Sequence, residues 1–279
     1  MLAVVLALGA AFGWGTSDFL GGLKSRKIPV PSVMLVSQMT ALGLLTVAVA
    51  VRGEGPPGGS SIAAAAGAGL AEAVAIAALY RGLAVGTMSI VAPVAALAPV
   101  VPLLAGLALG EVPGAVQFAG LGLASLGVIA TSWSPGGEVT GARAAPSVLY
   151  GLLAASGLGV FFLAMDSASE GDVGWALLTA RLTAVTALAA LVVVRRRGLA
   201  VSRRDVPYLA LVGMLIVMAD TLYALASTQG LMSIAAVLSS LHTVVTIVLA
   251  WIFLRERLSR PQQFGIAAAL AGVLAISAG

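Results

Sequence analysis

Apolar runs of helix length alternate with short polar interruptions along the whole chain. They fall at about 2–23, 30–51, 62–83, 89–109, 116–133, 148–168, 173–194, 206–227, 233–254 and 263–278. An α-helix needs roughly 20 residues to cross a bilayer, and most of these runs supply them. The pattern predicts an all-α integral membrane protein with ten transmembrane helices; the last run is the shortest and the fifth is rich in glycine. Gly53-Glu54-Gly55-Pro56-Pro57-Gly58-Gly59-Ser60 reads as a loop between the second and third helices. The longest polar interruption, 134–146, falls at the midpoint.

The pattern also repeats. Met88-Ser89-Ile90 is answered by Met232-Ser233-Ile234, and Ala95 through Val101 by Ser239 through Val245. Leu109-Gly110-Glu111 is answered by Leu254-Arg255-Glu256, and Gly13-Trp14-Gly15 by Gly157-Leu158-Gly159. A duplicated unit is implied, with a first repeat over 1–133, a linker over 134–146 and a second repeat over 147–279. Five helices per repeat, an odd number, turn the second repeat upside down, which is the inverted repeat of many secondary transporters.

Composition agrees. Of 279 residues, 60% are hydrophobic and only 9% charged, too little polar surface for a water-soluble domain of this length. The mean hydropathy is +1.08. The basic residues form short clusters at the ends of apolar runs, which points to membrane orientation and not to nucleic acid. No Lys or Arg precedes the first run, so it reads as a helix of the repeat and not as a secretory signal. With no cysteine and one histidine, thiolate and histidine-rich metal sites are excluded, and no cofactor is implied. One set of loops holds Lys24, Arg26, Lys27, Arg81, Arg143, Arg195, Arg196, Arg197, Arg203, Arg204, Arg255, Arg257 and Arg260. The other holds only Arg52, beside Glu54, Glu111, Glu170 and Asp172. If the basic face is cytoplasmic, both termini lie outside.

A charge at the centre of a bilayer costs about 2.5–3.5 kcal/mol on insertion scales, so each one asks for a reason. Glu72, Arg181 and His242 fall near the middles of the third, seventh and ninth helices, and Asp18 and Asp220 lie deeper than a loop. Asp166 falls nearer a helix end and groups with the loop acids. None of the first five has an ionisable counterpart in the other repeat; Ser37, beside Gln38, stands opposite Arg181. Ser239, His242, Thr243 and Thr246 share one helix face, Glu72, Ile76 and Tyr80 another, and Asp220, Tyr223 and Ser227 a third. Candidate substrate or coupling residues are therefore Glu72, Arg181, His242, Asp220, Asp18, Gln38, Tyr80, Tyr223, Ser239 and Thr243. The competing readings are structural: Arg181 as an ion-pair partner, the hydroxyls bonding their own helices, the tyrosines as core aromatics. Ala7, Ala11, Gly15, Asp18 and Gly22 form a small-residue stripe that reads first as a packing surface. Glu111 and Glu256, at helix–loop junctions, suit capping better than transport.

Tyr80-Arg81-Gly82-Leu83, Ser89-Ile90-Val91-Ala92-Pro93 and Pro99-Val100-Val101 resemble the third and fourth helices of the EamA repeat of the drug/metabolite transporter superfamily. The second copy is similar over Ser240 to Thr246, Ala250 to Leu254, Glu256-Arg257-Leu258, Gln263, Gly265 and Gly272-Val273. The family pattern commonly has an aromatic residue and then proline where this chain has His242-Thr243. A ninth helix without its kink is therefore expected, against a fourth helix with hinge candidates Pro93, Pro99 and Pro102. The resemblance implies two inverted five-helix EamA repeats and a multi-pass transporter of the cell (plasma or inner) membrane. Its partners would be a small-molecule substrate and the lipid bilayer. Many members of the family are described with both termini cytoplasmic, opposite to the charge count. The function expected is secondary transport, with export of a small organic metabolite, amino acid or drug by alternating access, coupled to protons through the excess of buried carboxylates. An uncoupled facilitator, with Arg181 and Glu72 locked together, is the alternative; a non-transporting membrane sensor or assembly protein ranks below it. An enzyme is not expected, since no nucleophile–base grouping or phosphate-binding loop of known spacing occurs. The substrate and the oligomeric state stay open, a monomer being sufficient.

Overall fold

The structure, a computed structural model, describes residues 1–25, 27–85, 88–132, 141–194, 201–255 and 258–278. Arg26, Arg195, Arg196, Arg197, Glu256 and Arg257 lie outside the described residues, as do the side chains of Tyr80, Pro93 and Arg143. The helical segments are α1 (Leu2–Ser25), α2 (Val30–Arg52), α3 (Gly59–Val85), α4 (Met88–Ala95), α5 (Val100–Ala108) and α6 (Ala115–Ser132). They continue as α7 (Gly141–Ser169), α8 (Val173–Val194), α9 (Val206–Thr228), α10 (Met232–Ser239), α11 (His242–Leu254) and α12 (Arg260–Ala278). The pairs α4–α5 and α10–α11 each make one interrupted pass, which leaves ten passes among the described residues, five in each half; nine of them are long and apolar enough to cross a membrane. Residues 141–146, assigned to the linker from sequence, belong to the first turns of α7.

The interruption of the fourth pass follows from proline. Leu97, Ala98, Val100 and Val101 donate their N–H groups three residues back, to Val94, Ala95, Leu97 and Ala98, at 2.9–3.2 Å. This tight turn accommodates Pro99, which has no N–H to donate and stands as the N-cap of α5. The ninth pass corrects the expectation of an unkinked helix. It breaks at Ser240–Leu241 without any proline, with Leu241 N–H on Leu238 O at 3.2 Å. Two serines do the work there. Ser240 Oγ donates to Val237 O at 2.7 Å, and Ser239 Oγ leaves its own helix to donate to Ala7 O of α1 at 3.3 Å. Serine pairs that compete for backbone carbonyls are among the few regular causes of helix kinks.

Glycine contacts set the packing of the two halves on each other. A Cβ on Gly13 would meet Ala219 and one on Gly15 would meet Val245; on α7, Gly157 meets Ala75 and Gly159 meets Val101 in the same way. Thus α1 lies on α9 and α11 as α7 lies on α3 and α5. The seam of α6 and α12 closes the bundle, Gly120 against the backbone of Gly272 and Gly127 against that of Gly265 and Ala269. Outside, Phe12, Val47, Phe118, Phe253 and Leu274 are each more than half exposed, a surface that lipid and not water accepts.

Candidate substrate and coupling site

Two glycines bring the charged residues together. On α3, a Cβ at Gly69 would lie 2.0 Å from the carbonyl oxygen of Ala180 on α8, so only glycine allows this approach. Glu72 follows one turn later on the same face and Arg181 is the next residue of α8, so the close contact delivers one to the other. On α9, Gly213 sits against the carbonyl of Ser37 on α2, the residue before Gln38.

Arg181, with 3% of its side chain exposed, is the centre of the site. Its Nη1 donates to Gln38 Oε1 and to Glu72 Oε1, the latter at 3.2 Å. Its Nη2 donates to Asp220 Oδ2. The other oxygen of Asp220 accepts from the indole Nε1 of Trp14 at 2.9 Å. Five passes converge here, with Trp14, Gln38 and Glu72 from the first half and Arg181 and Asp220 from the second. One guanidinium faces two carboxylates. Asp220 has both oxygens engaged, whereas Glu72 Oε2 is buried without a partner among the described residues, as is Arg181 Nε.

Trp14 links this cluster to a second. Its ring lies 6.0 Å from that of His242, edge to face, and His242 Nδ1 is 3.0 Å from Asp18 Oδ2. This pair is more open, with 30% of the His242 side chain and 52% of the Asp18 side chain exposed. On the other flank of Trp14 stand Tyr223, at 5.8 Å between ring centroids, and Phe162, at 6.1 Å. Tyr223 is fully buried and donates its hydroxyl to Phe162 O at 3.1 Å.

The predicted polar stripe of the ninth pass faces α1. Ser239 bonds Ala7 O, His242 pairs with Asp18, and Thr246 Oγ1 donates to Gly15 O at 3.0 Å. Thr243 is half-buried beside them. The hinge candidates Pro99 and Pro102 are fully buried at the start of α5. Tyr80 and Pro93, by their side chains, lie outside the described residues. Trp14 was the site residue that sequence reasoning missed. The signal was present in Gly13-Trp14-Gly15, where small neighbours hold a large indole in a tight seam.

Two further features tie the halves at the acidic end. Glu111, at the end of α5, accepts the first N–H groups of α10, from Met232 at 2.6 Å and Ser233 at 3.2 Å. A carboxylate is well placed there, on the positive end of a helix dipole. Arg52 holds Asp172 by two parallel bonds, at 3.2 and 2.6 Å, and also pairs with Glu54. The bonded Arg52 guanidinium holds the Asp172 carboxyl below the usual carboxylate range. At the opposite end Lys24 pairs with Asp205 at 2.7 Å, its ammonium also lying over the Tyr208 ring. Each contact joins loops that the charge pattern assigns to one face.

Two five-helix halves joined across buried charge form a bundle of the kind on which many secondary transporters are built. The EamA-like transporter family model matches residues 1–133 and 145–278, one match in each half, and the chain belongs to that family. It is thus a multi-pass membrane transporter of the drug/metabolite type. Among solved structures, one described only as the crystal structure of a protein is similar, with a TM-score of 0.80 and 16% identity. That similarity covers 98% of this chain and 95% of the other, and shows the shared fold. No curated protein matches.

Proposed function

We propose that the protein is a secondary transporter of the cell membrane that exports a small organic metabolite by alternating access, driven by inward proton movement through Glu72. The observation that carries this reading is the composition of the buried cluster. Its members come from both halves, so a rocking motion of one half on the other must break and remake the bonds of Arg181 to Gln38 and Glu72. Glu72 is the member held least, by one bond of 3.2 Å, and a carboxylate that can be released from its cation can take a proton. With the basic loops cytoplasmic, a proton entering against an outgoing solute follows the usual gradient.

The uncoupled alternative draws on the same pair, since the Glu72–Arg181 bond is formed. Proteoliposomes separate the two. Solute-dependent proton flux across an imposed pH gradient is expected for the wild type and is lost in Glu72→Gln, which retains downhill exchange. Transport indifferent to the pH gradient in the wild type would rule out coupling and leave the facilitator.

A further inference from the structure

We propose that the transported solute is an organic cation, and that it travels along the seam between α7 and α9. There it would pass from Glu72 to an acidic vestibule at the face opposite the basic loops. The proposal rests on the transporter reading above and adds the substrate's charge and its path.

The inner end of the path selects against anions. Both terminal nitrogens of Arg181 are occupied, by Gln38 and Glu72 on one and by Asp220 on the other. That leaves Nε as the one guanidinium nitrogen without a partner among the described residues, and a substrate carboxylate that reached it would meet the repulsion of both carboxylates already bonded to the same group. A cation meets the reverse situation. Two carboxylates share one guanidinium, and Glu72 Oε2 is a buried acceptor with no protein donor among the described residues. An ammonium group satisfies that oxygen and balances the cluster.

The outer end carries the same sign. A cavity of about 520 Å³ lies where α5, α7 and α9 end and α8 and α10 begin. Its lining includes the carboxylates of Glu111, Asp166 and Glu170 and the hydroxyls of Ser169, Ser227 and Thr228, with no Lys or Arg among the described residues. A mouth lined by one sign of charge concentrates solutes of the other.

The two ends lie on the same pair of helices. On α9, Asp220, Tyr223 and Ser227 follow one another along one face, from the ion cluster to the cavity wall. On α7, Phe162 precedes the cavity residue Asp166 by one turn. Between the ends, the Phe162 and Tyr223 rings close the seam with centroids 5.0 Å apart, and Trp14 stands behind them. Aromatic faces attract cations and offer anions nothing, so the constriction has the same preference as its two ends.

The test uses three probes of similar shape: phenethylammonium, 3-phenylpropionate and 3-phenylpropanol, measured by calorimetric binding to the purified protein and by counterflow in proteoliposomes. The cation is expected to bind and to exchange, with affinity about tenfold or more weaker in Glu72→Gln, the cost of losing one charged partner. Its exchange is expected to slow several-fold in the Asp166→Asn/Glu170→Gln double variant, with a flattened dependence on salt. Binding of the propionate in preference to the cation overturns the proposal, as does unchanged cation binding in Glu72→Gln or no cation binding at about 10 mM. Exchange of the anion would refute the substrate class and leave the transporter reading intact. Cation binding without exchange in vesicles would do the opposite.

Discussion

At the scale of single residues, the chain concentrates its risk in Arg181. A buried ion pair is costly to form and costlier to break on one side, because the abandoned charge stays buried. Arg181→Met strands Glu72 and Asp220 together and should destabilise the folded protein by about 3–5 kcal/mol, read as a fall in the thermal midpoint in detergent. Adding Asp220→Asn should recover a large part of that loss, since the two residues share one bonded unit and their effects do not add. Additive losses would mean that Asp220 leans on Trp14 alone. The residues that surround the cluster explain its geometry as much as its members do: Gly69 and Gly213 admit the neighbouring backbones, and any side chain there would push Glu72 and Gln38 away from Arg181.

At the scale of elements, the two interrupted passes reach one geometry by different chemistry. Pro99 leaves the helix short of a donor, whereas Ser240 engages the Val237 carbonyl of its own helix and Ser239 bonds across to Ala7 O of α1. Their C-terminal ends show the same divergence. After α5 the left-handed turn is made by Gly110, at φ 94°, and after α11 by Arg255, at φ 54°. A residue with a Cβ pays about 1–2 kcal/mol in that conformation, glycine very little. Arg255→Gly should therefore raise the thermal midpoint, by the equivalent of about 1 kcal/mol once the greater freedom of glycine in the unfolded chain is counted. A fall in the midpoint would mean that the Arg255 side chain contributes more than its backbone costs.

At the scale of the whole molecule, the halves are pinned at both ends and share charge in the middle. At the acidic end the Arg52–Asp172 pair and the Glu111 cap on α10 hold them; at the basic end Lys24–Asp205 does. Alternating access requires these contacts to open in turn. The Arg52–Asp172 pair has a signature in pH. The folded-state value of Asp172 lies below its ordinary one near about 3.9, so its stabilisation is present above that range and is lost as pH falls through the lowered value. The wild type should therefore exceed Arg52→Gln in thermal midpoint by a small, constant margin from pH 8 to 5, and the margin should close below about pH 4. A margin that stays constant to pH 3 would sink the assignment.

Much of this architecture is written along one dimension. Ten crossings, two repeats and the list of intramembrane charges were legible because hydrophobic length, internal similarity and the rarity of charge in lipid are properties of local sequence. The site was legible as a roster only. That Arg181 takes both carboxylates while His242 takes Asp18 depends on the register between helices far apart in the chain, set by glycine-to-backbone contacts such as Gly69 on Ala180. The break in the ninth pass escaped notice because proline is an obvious signal, whereas a serine's choice between solvent, its own helix and Ala7 of α1 is made by the neighbour. Asp166, read from sequence as a loop acid, joins the lining of a cavity only because α5 ends and α8 and α10 begin beside it. Membrane physics decided how many helices there are, and backbone proximity decided which charges meet.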